Sequence, residues 1–301
     1  MKYLIATFIL LFSSATPAQA NLDIALPEMG DSAGALVSPL EEYQVGQSFY
    51  WRLQQSVTLV EDPEVNSYIS SLGYRLVANS DDPGRTFTFF VVPDSSVNAF
   101  AAPGGFIGIH TGLMLTSESE SELASVMSHE IAHVTQRHIL RSFERSKRMS
   151  VPMTAAMVAA ALLGIADPSA GSAAIMAVQA GNVQMQLDYS RAHEAEADNL
   201  GMQTLVDAGF DPQAMPRFFE RLQIAGRFYG GSQVPEFLRT HPITGSRIAD
   251  ARGRAAKLES PSRVRNSDQF FLMREKLRVM GSTNMRELIK TYEDQLKEDS
   301  S

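Results

Sequence analysis

Cysteine is missing from all 301 residues. Its absence excludes a disulfide framework and a lipid-carrying N-terminal cysteine, and any metal site must be assembled from nitrogen and oxygen donors. A surplus of positive charge is missing too. With 26 Lys and Arg against 34 Asp and Glu, the formal net charge is -8, which argues against a broad basic surface for nucleic acid. No unbroken apolar run reaches membrane-spanning length. The first, Tyr3 to Phe12, offers about ten residues against the roughly twenty that a bilayer requires. It follows Lys2 and precedes Ala18-Gln19-Ala20, the small-x-small pattern of a signal-peptidase site. Residues 1–20 therefore read as a cleaved signal peptide, with an exported mature chain starting at Asn21.

What is present is a 44% hydrophobic content, enough for one substantial core. Residues 21–39 are rich in Pro, Gly, Ser and Asp and read as a flexible leader. A helical pattern runs from Leu40 to near Asp62-Pro63, and a second helix is expected over Pro63 to Ala78. "RTFTFFVVP" (85–93) reads as a strand, and residues 98–114 as a hairpin turning at Pro103-Gly104-Gly105. Its second arm, with Phe106, Ile107, Gly108 and Ile109, is expected to present an exposed edge. One long helix is expected from Ser117 to about Ser150, opened by a capping box at Ser117/Glu120 or Ser119/Glu122 and stopped by Pro152.

Residues 151–187 are dominated by Ala, Met, Gly and Val, and Asp167-Pro168 and Gly171 split them into two apolar segments. Ala and Met at helical spacing favour two buried core helices. A lid beside the site, or a hairpin touching a membrane or an unfolded client, are the other readings. Helices follow at 188–208, 212–227 and 247–258, with a loop at 229–246. Residues 261–301 form a short C-terminal tail of two amphipathic segments, either a terminal helical hairpin or the start of a tetratricopeptide-like array.

The chemistry is concentrated in "SHEIAHVTQRH" (128–138), which holds three of the chain's six histidines. On a helix, His129 and His133 project from one face a turn apart, so two imidazoles can bind one tetrahedral ion while Glu130 reaches a water on it. By composition such a tetrad arises by accident in under about one chain in a hundred. A catalytic zinc needs a third ligand. Glu194 and Asp198, again at i and i+4, supply candidates: one to ligate, the other to brace a histidine. His138 projects about 140° from His133 on an ideal helix and is expected at the surface. His110 is expected to end a strand, and His193 to be a neighbour of the site and not a ligand.

His129-Glu130-x-x-His133, Glu194-x-x-x-Asp198, "NAFAAPGG" upstream and "RTHPITGSRI" downstream together resemble the metallopeptidases of family 48 over about residues 40–258, most closely the soluble periplasmic members. The resemblance implies an α+β, predominantly α-helical, zincin-like fold with a small sheet beside the active-site helix, and a metalloprotease domain over residues 40–260. It implies one zinc per chain held by His129, His133 and Glu194, with Asp198 behind them and Glu130 as base. It also implies edge pairing of substrate along Phe106–Ile109. His241 matches a loop histidine able to approach the metal and hold the enzyme latent, with Arg247 six residues on. The implied partners are misfolded or unassembled envelope polypeptides, with a membrane surface or outer-membrane assembly machinery as further contacts. A chaperone-like binding protein with a structural or capped zinc is the competing reading.

Overall fold

The computed structural model describes residues 37–228, 235–258 and 267–299. The expected signal peptide, residues 21–36 of the leader and part of the 229–246 loop lie outside the described residues. Ser38 opens α1 (Pro39–Ser56) with a reciprocal cap, its hydroxyl accepting the Glu41 N–H while the Glu41 carboxylate accepts the Ser38 N–H at 2.8 Å. The helix ends earlier than expected. Beyond it the backbone is drawn to the sheet, and Val60 N–H donates to the Val91 carbonyl at 3.0 Å. Asp62 caps α2 (Pro63–Val77), which buries Val65, Ile69, Leu72 and Leu76.

Three strands form one sheet in the order β1-β3-β2: β1 (Thr88–Val92), β2 (Ala99–Ala102) and β3 (Phe106–His110). β2 and β3 are the antiparallel arms of the expected hairpin, and β1 runs parallel to β3 on its other side. The turn needs its glycines. Gly104 and Gly105 sit at φ 73° and 85°, and a Cβ on Gly105 would lie 2.1 Å from the Thr86 carbonyl oxygen. This topology corrects the expected substrate edge. Phe106, Ile107, Gly108 and Ile109 are paired on both sides, because the continuously apolar second arm is buried as the central strand, as such runs usually are. The sheet edge facing the following helices belongs to β2.

After α3 (Thr111–Thr116), α4 (Glu120–Thr135) starts at Ser119, whose hydroxyl accepts the Glu122 N–H at 3.2 Å. The single long helix expected here is broken, and not by Pro152. Arg137 adopts a left-handed conformation, φ 53°, and its guanidinium is held by Glu42 at 3.1 Å and by the Val37 carbonyl at 2.8 Å. α5 (His138–Ala166) then continues through Pro152. On this exposed stretch the carbonyl that proline deprives of a donor, that of Arg148, is within reach of water.

α6 (Pro168–Asp207) is one continuous helix of 40 residues, capped by Asp167. It returns antiparallel to α5 with Gly164 and Gly171 in contact; a Cβ on Gly171 would lie 2.2 Å from the Gly164 Cα. The expectation of two buried core helices in residues 151–187 is overturned. Val151, Leu162 and Ile165 are 76%, 60% and 81% exposed. Apolar composition reads as core, but this hairpin projects from the body and buries only the face along which its arms meet.

The core is completed by α7 (Ala214–Phe228), α8 (Glu236–Thr240), α9 (Gly245–Ala255) and α10 (Asp268–Gly281), whose Phe218, Phe237, Ile248 and Phe270 are buried. α10 joins that core through Phe270, Met273 and Leu277, and its Lys276 reaches Asp62 at 2.7 Å. α11 (Met285–Asp299) folds back so that the Tyr292 hydroxyl donates to Glu275 at 2.7 Å.

Candidate metal centre

α4 is buried along almost its whole length, and α6 crosses it where Gly201 sits: a Cβ there would be 3.0 Å from the His129 Cα. This close approach brings one face of α6 against the histidine face of α4. Glu194 and Asp198, one turn apart on α6, therefore meet His129 and His133, one turn apart on α4.

His129 Nε2 and His133 Nε2 are 3.0 Å apart, and the Glu194 carboxylate lies 3.5 Å from the first and 3.4 Å from the second. A tetrahedral ion with ligand bonds of 2.0–2.1 Å separates its ligands by about 3.3 Å. Two ring nitrogens and a carboxylate spaced in this way suit a divalent cation in chemistry and in size. A fourth donor completes the set. His241 Nδ1 lies 3.0 Å from Glu194 Oε1 and 3.4 Å from His129 Nε2, and all four donors fall within 4.8 Å of one another.

Behind the donors, His129 Nδ1 is 3.0 Å from Asp198 Oδ1. Arg247 grips Asp198 with two bonds, Nε to Oδ2 at 2.7 Å and Nη2 to Oδ1 at 2.8 Å. Its Nη1 reaches Glu194 at 2.9 Å and the Pro242 carbonyl at 2.9 Å. The residue thus ties the α6 carboxylates to the loop carrying His241, a double grip that sequence spacing does not reveal.

Burial disfavours charge on these groups, and their mutual contacts decide which carry it. Burial pulls His129 down, yet the Asp198 and Glu194 carboxylates outweigh it and lift the imidazole to about 10. Burial pushes His133 down to about 3 against the pull of Glu194. Burial acts to raise Glu194, but the three histidines around it hold it below the usual carboxylate range. Asp198 is likewise lowered, its burial outweighed by His129 and Arg247. Glu130 is the exception. It is buried and raised, and its Oε1 makes no hydrogen bond, lying 3.5 Å from His241 Nε2. The Ala101 backbone on β2 lies beside it and favours its charged form.

His138 is buried and not at the surface: its Nδ1 is 2.8 Å from His133 Nδ1. The ideal-helix projection fails because Arg137 turns the chain between them. The pairing is signalled in the sequence only by a histidine five residues after His133. His193 stacks on His138 at 4.1 Å, outside the donor set, and His110 ends β3 with its Nδ1 2.8 Å from the Ser96 hydroxyl. In front of His133 and Glu194 a groove of about 680 Å³ opens along the start of the hairpin, lined by Phe143, Met149, Met153 and Tyr189.

Residues 63–255 match the model of peptidase family M48. The chain is 48% identical over 240 residues to a putative beta-barrel assembly-enhancing protease of Vibrio cholerae, covering 79% of this chain and 49% of that protein. It is 42% identical over 286 residues to the beta-barrel assembly-enhancing protease of Escherichia coli, covering 94% of this chain and 58% of that protein. A mitochondrial metalloendopeptidase of Arabidopsis thaliana is 30% identical over 165 residues, covering 55% of this chain and 31% of that protein. The chain thus spans about half the length of the bacterial relatives it matches.

Proposed function

The chain belongs to peptidase family M48, and from that premise we propose that it is an exported zinc metalloendopeptidase acting on misfolded or unassembled envelope proteins. The observation that supports it most is the convergence of His129 Nε2, His133 Nε2 and the Glu194 carboxylate at tetrahedral spacing. The envelope setting is supported by the signal-like N-terminal sequence and by the names of the bacterial relatives.

His129, His133 and Glu194 would hold the zinc, which when bound would supply Lewis acidity to polarise the scissile carbonyl and acidify the attacking water. Glu130 takes the proton of that water and passes it to the leaving amine. Burial, which lifts its carboxyl above the ordinary range, suits it to accept a proton and give it back. Asp198, clamped by Arg247, keeps His129 turned toward the ion. The edge of β2 beside Glu130 takes the place assigned from sequence to Phe106–Ile109: an extended substrate pairs with Ala99–Ala102 through backbone groups and is bound with little regard to its side chains.

His241, whose donor lies within 4.8 Å of the other three, would compete with water and substrate for the ion, and in this reading it keeps the resting enzyme latent. The same closed set of four donors favours the chaperone-like reading, and one experiment separates them. Zinc-loaded His241→Ala is expected to cleave unfolded casein at least about tenfold faster than the parent, equivalent to about 1.4 kcal/mol released at the fourth position. Casein left intact by both proteins, each carrying zinc, selects the binding protein instead.

The hairpin supports a membrane contact as well. Asp167 is the single charged residue between Met149 and Leu187, and α5 is long and apolar enough to cross a membrane. The exposed Val151, Val158, Leu162, Leu163 and Ile165 extend from a base carrying Arg145, Lys147 and Arg148, which complements anionic headgroups. The purified chain is expected to float with vesicles containing phosphatidylglycerol. Replacing Leu162, Leu163 and Ile165 together by Gln should abolish flotation, and undiminished flotation of that variant rejects the contact.

A further inference from the structure

We propose that His138 and Glu196 form a positioning relay that fixes the ring of His133 for metal binding, a role distinct from that of Asp198 behind His129. The inference rests on reading His133 as a ligand.

The two ligand histidines are braced differently. Asp198 reaches His129 directly, at 3.0 Å. Among the described residues, no carboxylate is placed to do the same for His133 on the hairpin side. Glu196, the nearest acidic residue along α6, is two positions from Glu194 and so projects about 200° around the helix from it. His138 bridges the gap. The left-handed Arg137 swings the start of α5 so that His138 Nδ1 comes within 2.8 Å of His133 Nδ1, while its Nε2 lies 3.0 Å from Glu196 Oε2. Arg141 holds the same carboxylate oxygen at 3.0 Å. His193 stacks on the His138 ring with planes 11° apart, and Tyr189 packs on His193 at 4.1 Å, so the plane of the bridging ring is fixed from its open side.

The contacts allow one proton arrangement compatible with a metal. A carboxylate paired with Arg141 only accepts, so the proton of neutral His138 sits on Nε2. Its Nδ1 is then a lone pair, and the hydrogen in the 2.8 Å contact belongs to His133 Nδ1. That leaves His133 Nε2 unprotonated and pointing at His129 Nε2 and Glu194, the position a ligand must present. Reversing the tautomer of His138 would place two hydrogens face to face or move a proton onto the ligating nitrogen.

The test is zinc affinity, measured by competition with a chromophoric chelator, together with the visible spectrum of the cobalt-substituted protein. His138→Leu fills similar space but offers no acceptor, and it is expected to weaken zinc binding by about 10–100-fold and to shift the cobalt bands. His138→Gln, whose amide oxygen can accept the His133 proton, should stay within a few-fold of the parent. Glu196→Gln, whose amide can donate to His138 and reverse its tautomer, should weaken binding by about tenfold. If the parent binds one zinc and His138→Leu binds it as tightly with an unchanged cobalt spectrum, the relay is wrong and the ligand reading stands. A parent that takes up no zinc removes both. Should His138→Leu fail to fold, the contrast between His138→Gln and Glu196→Gln decides: equal affinities overturn the relay.

Discussion

Glu130→Gln is expected to lower peptide-bond cleavage by about 10²–10⁴-fold, the range a positioned general base contributes, while zinc content stays at that of the parent. The amide keeps the shape of the side chain and cannot take a proton from water. Because Glu130 is buried and its ionised form disfavoured there, a neutral replacement leaves folding intact. The variant should therefore bind zinc and unfolded substrate but turn over neither casein nor itself. The full range should be seen in the His241→Ala background, which lacks the fourth donor of the cluster. Cleavage within a few-fold of that background, at equal zinc content, would assign the base to another group.

The second large effect is on stability. Arg247 is buried and satisfies both oxygens of Asp198, one side of Glu194 and the Pro242 carbonyl. Arg247→Met removes the guanidinium but leaves two buried carboxylates, a situation that costs about 3–5 kcal/mol when one partner of a buried pair is deleted. Urea unfolding of the zinc-free protein should show that loss. Arg247→Met combined with Asp198→Leu should recover much of it, since the stranded charge is then gone too. A loss below about 1 kcal/mol for the single variant would mean that the grip seen between Arg247 and Asp198 is matched by water in solution.

Helical spacing alone put His129 with His133 and Glu194 with Asp198, because residues four apart share a helix face whatever the fold around them. Turn chemistry at Pro103-Gly104-Gly105 located the hairpin turn, where positive φ demands glycine at 104 and 105. What was not legible depends on contacts between distant segments. Arg137 breaks the helix because Glu42 and Val37, nearly a hundred residues away in sequence, hold its side chain, and from that break follows the burial of His138. Phe106–Ile109 lies at the centre of the sheet because β1, which precedes the hairpin, pairs with it in parallel. The apolar residues of 151–187 carry no mark that distinguishes a core helix from one that faces outward. Composition reports hydrophobicity; it does not report what meets it.

Metal binding and catalysis both require that one divalent cation be shared by His129, His133 and Glu194. X-ray absorption at the zinc edge, on purified protein loaded with one equivalent of zinc, tests it most directly. The expected result is a four-coordinate site of nitrogen and oxygen donors at about 2.0–2.1 Å, with clear imidazole scattering, that Glu194→Ala fails to retain on dialysis. A zinc surrounded mainly by water, or one held as tightly after Glu194→Ala, would contradict it.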